Sequence, residues 1–378
     1  MIEWDWPTYF LFGICLTFAF VCLHQYDSVK EKNYLHFLVL GLLPCFCIFA
    51  FRHENVGMDL VRYAYKIYQA RYGVDFFFAN FLSGTILSEI LSTFIAFVAY
   101  YFGGINAFIV LTSLVQYVFI IILLNHLHKQ RFNVSIFFLL FFSIILLRSC
   151  SMVKNGIAIV ISYCAYVHLL DDKKEHKWFW FYTLLAVGFH NSALINIPVY
   201  FCCKPIEGSY WSTRRDILFR IITYIFTVLF VLLLQKSFFT DLTSSVSAGK
   251  YAHYEMTNVW GIGNVIIRLP LLGLFLFNLK GLKEKYGNRI VSLFYLLIFD
   301  IVISQTRYVY ADLERLSQYF FFGQILFASL FYDYIKERVR FPFQFIYFAI
   351  VIICFTYYMY LWAIVSNYGL MPYKFMEW

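Results

Sequence analysis

Apolar residues recur in long runs from one end of the chain to the other, and short polar stretches separate them. A membrane-spanning helix needs about 20 predominantly apolar residues. The pattern predicts helical segments at about residues 7–24, 34–51, 86–102, 106–125, 134–149, 155–170, 178–190, 191–203, 217–235, 262–279, 290–305, 317–333 and 342–365. The segments 178–190 and 191–203 are short, which indicates a tight hairpin that does not reach the far side of the membrane.

The composition supports a membrane protein. Hydrophobic residues make up 62% of the 378 residues and charged residues 14%, whereas soluble domains are nearer half apolar and a quarter charged. The polar stretches are too short to form a core of their own. We therefore predict one all-α polytopic membrane domain over residues 1–378, with about 12 transmembrane helices and one or two short interfacial or re-entrant helices. The start, MIEWDWPTYF, lacks a basic region and predicts a first transmembrane helix, not a cleaved signal peptide.

The basic loops predict the orientation, because cytoplasmic loops carry an excess of Lys and Arg. Placing the most basic loops inside accounts for 18 of the 30 Lys and Arg residues and puts both termini outside. The predicted outside loops are then about residues 52–85, 236–263 and 305–316. The segments 86–102 and 106–125 both lie between the outside loop 52–85 and an inside loop, so one of them cannot cross the membrane. We expect it to be 86–102, because that segment carries Glu89.

The remaining composition excludes several function classes. The net charge of +8 comes from short loops between apolar runs, so it does not indicate nucleic-acid binding. Most of the nine cysteines lie inside apolar runs, and no CxxC pair indicates a disulfide framework or a zinc site. No metal motif, P-loop or GxSxG motif is present. The sequence therefore predicts neither a metal nor another cofactor.

Several cations remain outside against the usual charge bias, at or inside the membrane edge. They are Arg52, Arg62, Arg148, Lys154, Arg268, Arg307 and Arg315. An ionisable residue in a membrane segment is costly and by default marks a functional site. A shared anionic ligand would explain why these cations lie at a common depth in the membrane. The planar guanidinium of arginine suits phosphate, because it can donate two parallel hydrogen bonds. Each of them could instead snorkel to a lipid phosphate or pair with a local carboxylate.

Two stretches offer further candidate chemistry. In FRHENVGMDLVRYAYKIYQARYG, Gly57 predicts a turn and Asp59 the N-cap of a helix whose tyrosines, including Tyr63, face either a sugar or the membrane interface. In GFHNSALINIPVY, His190 lies in an apolar stretch beside Asn191 and Ser192. A buried histidine is commonly a hydrogen-bonded core residue. Its unperturbed pKa near 6.5 also suits a general base that removes a hydroxyl proton.

With these residues in view, the chain resembles the EpsG-like branch of the Wzy polysaccharide polymerases. FRHENVGMDLVRY resembles the Arg-x-x-x-Val-Gly-Thr-Asp-x-x-x-Tyr signature of that branch, with Met58 in place of Thr. VKNGIAIVISYCAYVHL resembles its Arg-Gln-x-Ile-Ala segment, with Lys154 and Asn155 in place of Arg and Gln, so either Lys154 or the upstream Arg148 takes the role of that arginine. LLAVGFHNSALINIPVY resembles its Phe-His-x-Ser-Ala-Leu stretch, and ERLSQYFFFGQILF its late Arg-x-x-x-Tyr-Phe helix start.

The resemblance implies a polymerase of glycans carried on undecaprenyl pyrophosphate. Such an enzyme transfers a glycan from its lipid carrier onto the non-reducing end of another lipid-linked repeat unit. The implied partners are these lipid-linked glycans, the lipid bilayer and a membrane protein that regulates chain length. We predict catalytic roles for His190, Asp59 and Arg315. Predicted substrate-binding residues are Arg52, Arg62, Tyr63, Arg148, Lys154, Arg268, Arg307 and Tyr319.

Two other functions remain open. A flippase of lipid-linked glycans would also have many spans and internal arginines, but it would be expected to show pseudo-symmetric halves, and none are visible here. A membrane acyltransferase would use a histidine supplied with an acyl donor from the cytoplasm, whereas His190 lies nearer the outside in this topology. The base is also open, with His190 favoured over Asp59 and Glu314, whose neighbouring arginines stabilise their charged forms.

Overall fold

The computed structural model describes residues 6–28, 35–57, 60–73, 75, 89–170, 176–203, 263–287, 289–305, 314–338, 341–359 and 373–376. These residues form helices and connecting turns without a strand, so the predicted all-α class is confirmed for them. We number the helices α1 Trp6–Ser28, α2 Leu35–Ala50, α3 Leu60–Gln69, α4 Ile90–Phe102, α5 Gly104–Lys129, α6 Val134–Ser149, α7 Val153–Leu169, α8 His176–Phe189, α9 Asn196–Cys203, α10 Gly263–Tyr286, α11 Arg289–Gln305, α12 Glu314–Arg338 and α13 Phe341–Met359.

The predicted apolar segments coincide with these helices, except that 217–235 lies outside the described residues. Among the described helices, Pro7–Ser28 and Gly104–Lys129 are long and apolar enough to cross a membrane. The number of about 12 crossings stays a prediction. Helix α4 has 13 residues, which corresponds to about 20 Å at 1.5 Å per residue, and a hydrocarbon core is about 30 Å thick. That the segment containing Glu89 does not cross therefore also stays a prediction.

The helices form two compact units. The first comprises residues Met1–Val167, Trp178–Ala193 and Ala328–Trp378, and the second His168–Lys177 and Leu194–Phe327. In the second unit, α10 packs along α11, and the ring of Phe275 lies 5.5 Å from that of Phe294 between their centroids. The prediction of a single membrane domain is not tested by this division.

Helix α6 lies in the interior of the first unit, because every residue from Val134 to Phe142 except Leu139 is buried. Its start is well capped. Asn133 accepts a hydrogen bond from the backbone N–H of Ile136 at 2.9 Å, and the Asp27 carboxylate accepts two from the N–H groups of Val134 and Ser135. A carboxylate is favoured there because the free N–H groups carry partial positive charge. The helix then widens into a π-helical turn at Phe142–Leu146, a feature frequent at functional sites.

The C-terminal segment Tyr373–Met376 meets both the end of α2 and the beginning of α1. The backbone N–H of His53 donates to the carbonyl of Lys374 at 2.8 Å, and that of Met376 donates to Phe51 at the same distance. In a third contact, the backbone N–H of Tyr373 donates to the Thr8 hydroxyl at 3.1 Å. The beginning of α1, the end of α2 and the C-terminal segment therefore lie at one end of the first unit.

Cysteine labelling checks which side of the membrane this is. Single cysteines at Asn55, an exposed residue next to Val56, and at Ser245 are expected to react with an impermeant reagent added from outside, and cysteines at Lys173 and Lys283 only after permeabilisation, because Lys-rich loops stay in the cytoplasm. Each is introduced into a chain whose native cysteines are replaced, and total accessibility is measured in detergent. Outside labelling at Lys283 would reverse the orientation.

Candidate functional site

A chain of polar side chains lies in the first unit where α4, α7 and the turn after α8 meet. It consists of Glu89, Lys154, His190, Ser192 and Asn155, and we call it the His190 cluster. Glu89 and Asn155 are buried, and Lys154, His190 and Ser192 are partly buried. Polar groups in such a place need partners because their desolvation is costly.

Glu89 lies between Lys154 and His190. One carboxylate oxygen forms an ion pair with the Lys154 ammonium. The other, Oε1, lies 3.7 Å from Nε2 of His190. The Glu89 side chain is 10% exposed, Lys154 15% and His190 20%, so the carboxylate is largely shielded from water. It can therefore hold the lysine and orient the imidazole together.

The other ring nitrogen of His190 is an acceptor. Nδ1 lies 3.2 Å from the backbone nitrogen of Ser192, which can only donate. It also lies 2.6 Å from the Ser192 hydroxyl. These contacts assign the neutral ring a hydrogen on Nε2, directed at Glu89, and a lone pair on Nδ1. The Ser192 hydroxyl also lies 3.1 Å from Oδ1 of Asn155, so its single hydrogen can serve only one of these acceptors at a time.

Two glycines allow the elements of the cluster to approach each other. A Cβ atom at Gly188 on α8 would lie 2.8 Å from Cδ1 of Leu91 on α4, so glycine lets α8 bring His190 up to Glu89. A Cβ atom at Gly156 would lie 2.3 Å from Cβ of Ser149. Glycine there lets the first turn of α7 pack on the end of α6, which fixes Lys154 and Asn155.

Helix α3 begins at Leu60, as predicted from the turn at Gly57, and it borders the cluster on one side. The ring of Tyr63 lies 5.1 Å from that of Phe108, and the Lys154 ammonium lies 5.5 Å from the Tyr63 ring centroid. Lys66 donates to the hydroxyl of Thr93 on α4 at 2.9 Å. The tyrosines of this helix therefore differ in their surroundings: Tyr63 faces the cluster, whereas the Tyr65 side chain is 67% exposed.

Arg52 lies at the end of α2 and is 2% exposed. Its guanidinium donates to the carbonyl of Phe49, to the Ser113 hydroxyl at 3.4 Å and to the carbonyl of Cys150 at 3.2 Å. It thus satisfies carbonyls at the ends of α2 and α6, which lack helical partners. The prediction that Arg52 binds substrate remains untested.

Gly57 packs on the same carbonyl of Cys150. Its φ angle is +118°, which L side chains rarely adopt, and a Cβ atom there would lie 2.7 Å from that oxygen. The turn between α2 and α3 therefore needs a residue without a side chain.

Replacing Gly57 with alanine is expected to lower the stability of the protein by about 1–3 kcal/mol, through backbone strain and the contact with Cys150. Gly73 has a φ angle of +66° but open space around it, so Gly73→Ala serves as the control and should cost less. Apparent melting temperatures in detergent measure both variants. Equal melting temperatures would mean that the loop shifts to relieve the contact.

The other predicted residues are placed as follows. Arg148 is buried at the end of α6 in the first unit. In the second unit, Nε of Arg268 donates to Oδ2 of the fully buried Asp300 at 2.8 Å, and Gln324 donates to the same oxygen. Arg315 is partly buried in the first turn of α12, and Tyr319 is fully buried. Asp59, Arg307 and the side chains of Arg62 and Glu314 lie outside the described residues.

The structure thus brings together His190, Lys154 and Tyr63 from the predicted set. Arg268 instead pairs with a nearby carboxylate, that of Asp300, which was the alternative to binding an anionic ligand. The sequence had not indicated Glu89, Ser192 or Asn155 as site residues. A signal for Glu89 existed, since a carboxylate in an apolar segment is costly. Among the residues that the structure describes, no group of three or more His, Cys, Asp or Glu side chains could hold a metal ion.

Comparison with known families places the chain as a whole. The model of the EpsG family matches residues 34–375. The chain belongs to the EpsG family. The match includes every element of the His190 cluster, and it indicates a polysaccharide polymerase in general terms and a membrane protein. No curated protein and no solved structure matches this EpsG-family chain.

Proposed function

We propose that this EpsG-family protein polymerises oligosaccharide repeat units linked to undecaprenyl pyrophosphate, at the outer face of a bacterial plasma membrane. It transfers the growing glycan from its lipid carrier onto the non-reducing end of another lipid-linked unit. The observation that carries the proposal is the orientation of His190, whose Nε2–H faces Glu89 and whose Nδ1 lone pair faces a hydroxyl.

The reaction forms one bond and breaks another. The acceptor hydroxyl oxygen attacks the anomeric carbon of the donor, and the bond from that carbon to the pyrophosphate oxygen breaks. The hydroxyl proton moves to Nδ1 of His190, either directly after the acceptor displaces Ser192 or through the Ser192 oxygen. Glu89 then stabilises the imidazolium, as carboxylates do beside catalytic histidines.

Negative charge grows on the leaving pyrophosphate, and cations fixed in place before the reaction stabilise it. Lys154 is the cation of the His190 cluster and lies beside Tyr63. Arg148, Arg52 and Arg62 of the first unit are further candidates. The roles of Arg268, Arg307 and Arg315 stay predictions from the sequence. The pairing of Arg268 with buried Asp300 makes it the weakest of these, because its charge is already balanced.

A gel of surface polysaccharide tests the function. Deletion of the gene is expected to remove the ladder of long chains and to leave a single repeat unit on its acceptor, because synthesis and export of the unit do not need this protein. Reintroduction of the wild-type gene is the control. Loss of every unit, including the single one, would indicate a flippase instead.

A further inference from the structure

The Ser192 hydroxyl lies between two other members of the His190 cluster. Its oxygen is 2.6 Å from Nδ1 of His190 and 3.1 Å from Oδ1 of Asn155. An amide oxygen can only accept, so a hydrogen bond to Asn155 uses the single hydrogen of the hydroxyl. A hydrogen bond between the Ser192 oxygen and Nδ1 then needs a hydrogen on Nδ1. Both contacts are therefore hydrogen bonds at the same time only when Nδ1 is protonated.

This arrangement suits the imidazolium form of His190 better than the neutral form. In the neutral ring with its hydrogen on Nε2, the Ser192 hydroxyl serves either Nδ1 or Asn155, and the other contact lacks a hydrogen. In the imidazolium, Nε2–H still faces Glu89, Nδ1–H donates to the Ser192 oxygen, and the Ser192 hydroxyl donates to Asn155. A site that fits a charge formed during the reaction better than the starting state favours that reaction.

The contact with Asn155 is set by helix packing and not by the local turn. The turn after α8 by itself places Ser192 next to His190, because the Ser192 backbone N–H lies 3.2 Å from Nδ1 and the Ala193 N–H donates to the His190 carbonyl at 3.1 Å. Asn155 is buried in the first turn of α7, 37 positions before Ser192. A hydrogen bond in such a shielded place is stronger than one in water.

We propose that Asn155 is a positioning residue for proton transfer to His190. It accepts the hydrogen of the Ser192 hydroxyl once Nδ1 is protonated, so that the Ser192 oxygen can accept from Nδ1–H. The proposal rests on the function proposed above and assigns the route through Ser192 to its proton.

The proton moves in two linked transfers. The acceptor hydroxyl of the glycan gives its proton to the Ser192 oxygen, while Ser192 gives its own proton to Nδ1 of His190. The acceptor oxygen keeps the electron pair of its O–H bond and uses it to bind the anomeric carbon, and the pyrophosphate leaves with the electron pair of the broken C–O bond. Ser192 ends with one hydrogen, as it began, and donates it to Oδ1 of Asn155. The imidazolium gives its proton to water before the next cycle.

Nitrogen NMR of the purified full-length protein, labelled with ¹⁵N-histidine in nanodiscs, tests the proposal without requiring turnover. The ring signals of His190 are assigned by their absence in His190→Gln. Asn155→Leu removes the acceptor and keeps a side chain of similar size. The pH at which half of His190 is protonated should then fall by about one unit, a tenfold change in proton affinity, because the imidazolium loses the hydrogen-bond chain that stabilises it. Glu89 and Lys154, the charged members of the cluster, are unchanged in this variant.

Asn125→Leu is the matched control. Oδ1 of Asn125 also accepts a hydrogen bond from a hydroxyl, that of Tyr26, at the same distance of 3.1 Å. Asn125 lies near the end of α5, away from the cluster, so its replacement should leave the titration of His190 unchanged. An unchanged titration in Asn155→Leu, or a neutral wild-type ring with its hydrogen on Nδ1, would overturn the proposal.

Polymerisation rates give a second test. Asn155→Leu should lower kcat about tenfold and leave KM for the lipid-linked acceptor unchanged, because the amide acts after substrate is bound. Since Asn155 acts through Ser192, adding Asn155→Leu to Ser192→Ala should lower the rate no further. Losses that multiply in the double variant would show that Asn155 acts elsewhere and would contradict the proposal. Asn155→Val gives the same comparisons if Asn155→Leu does not fold.

The two tests separate this proposal from the proposed function. A protein whose His190 titration shifts in Asn155→Leu, but which makes no polymer under any condition, would refute the polymerase and keep the role of Asn155 in stabilising protonated His190. A protein that makes polymer, and whose Asn155→Leu variant matches the wild type in titration and kcat, would refute the role of Asn155 alone.

Discussion

The His190→Gln variant is expected to bind lipid-linked substrate and to lose chain synthesis by about 100- to 10,000-fold, the usual contribution of a general base. Glutamine can still accept a hydrogen bond from the Ser192 backbone, so the turn after α8 is kept. It cannot take up a proton near neutral pH. The rate of polymer formation by purified protein, measured with lipid-linked repeat units, gives the comparison.

The control for this variant is His168→Gln. His168 is also buried, but it lies in the last turn of α7, whereas the cluster residues Lys154 and Asn155 lie in the first turn. Its replacement tests the general cost of losing a buried imidazole. Near-normal chain synthesis by a stable His190→Gln protein would end the assignment of the base and leave Asp59 and Glu314 to be tested.

The Glu89→Gln variant is expected to lose both stability and activity. Removing one partner of a buried ion pair costs about 3–5 kcal/mol, and we expect about 2 kcal/mol here because both side chains are slightly exposed. Chain synthesis should fall by about 10- to 100-fold further, the cost found when a histidine that binds a metal loses its orienting partner. Melting temperature and polymerisation rate, measured on the same preparation, separate the two effects.

A double variant distinguishes a structural pair from a catalytic one. Glu89→Gln with Lys154→Met removes the unpaired charge, so the melting temperature should return towards that of the wild type. The rate should stay low, because the imidazole has lost its carboxylate and the cluster its cation. Recovery of chain synthesis together with stability would show that Glu89 and Lys154 only hold α4 against α7.

The sequence alone determined the all-α class and the positions of the described helices, because long apolar runs and their polar boundaries are local properties. The start of α3 after Gly57 followed in the same way from turn and capping preferences. The family was also visible in short motifs around His190 and Gly57. The sequences of α6 and α7 are nearly continuous apolar runs. Such runs are typical of helices that are buried on all sides, as these two are.

Only the tertiary structure decided which charges meet. Glu89 and Lys154 are 65 positions apart, and no local pattern indicates that the start of α4 and the first turn of α7 meet. A close approach at Gly188 brings α8 to α4, and one at Gly156 brings α7 to the end of α6, since only glycine leaves room there. The same holds for Arg268, whose partner Asp300 lies 32 positions away on another helix. A buried charge requires a partner of opposite charge. Which residue is that partner cannot be predicted from the sequence, because it depends on how the helices pack.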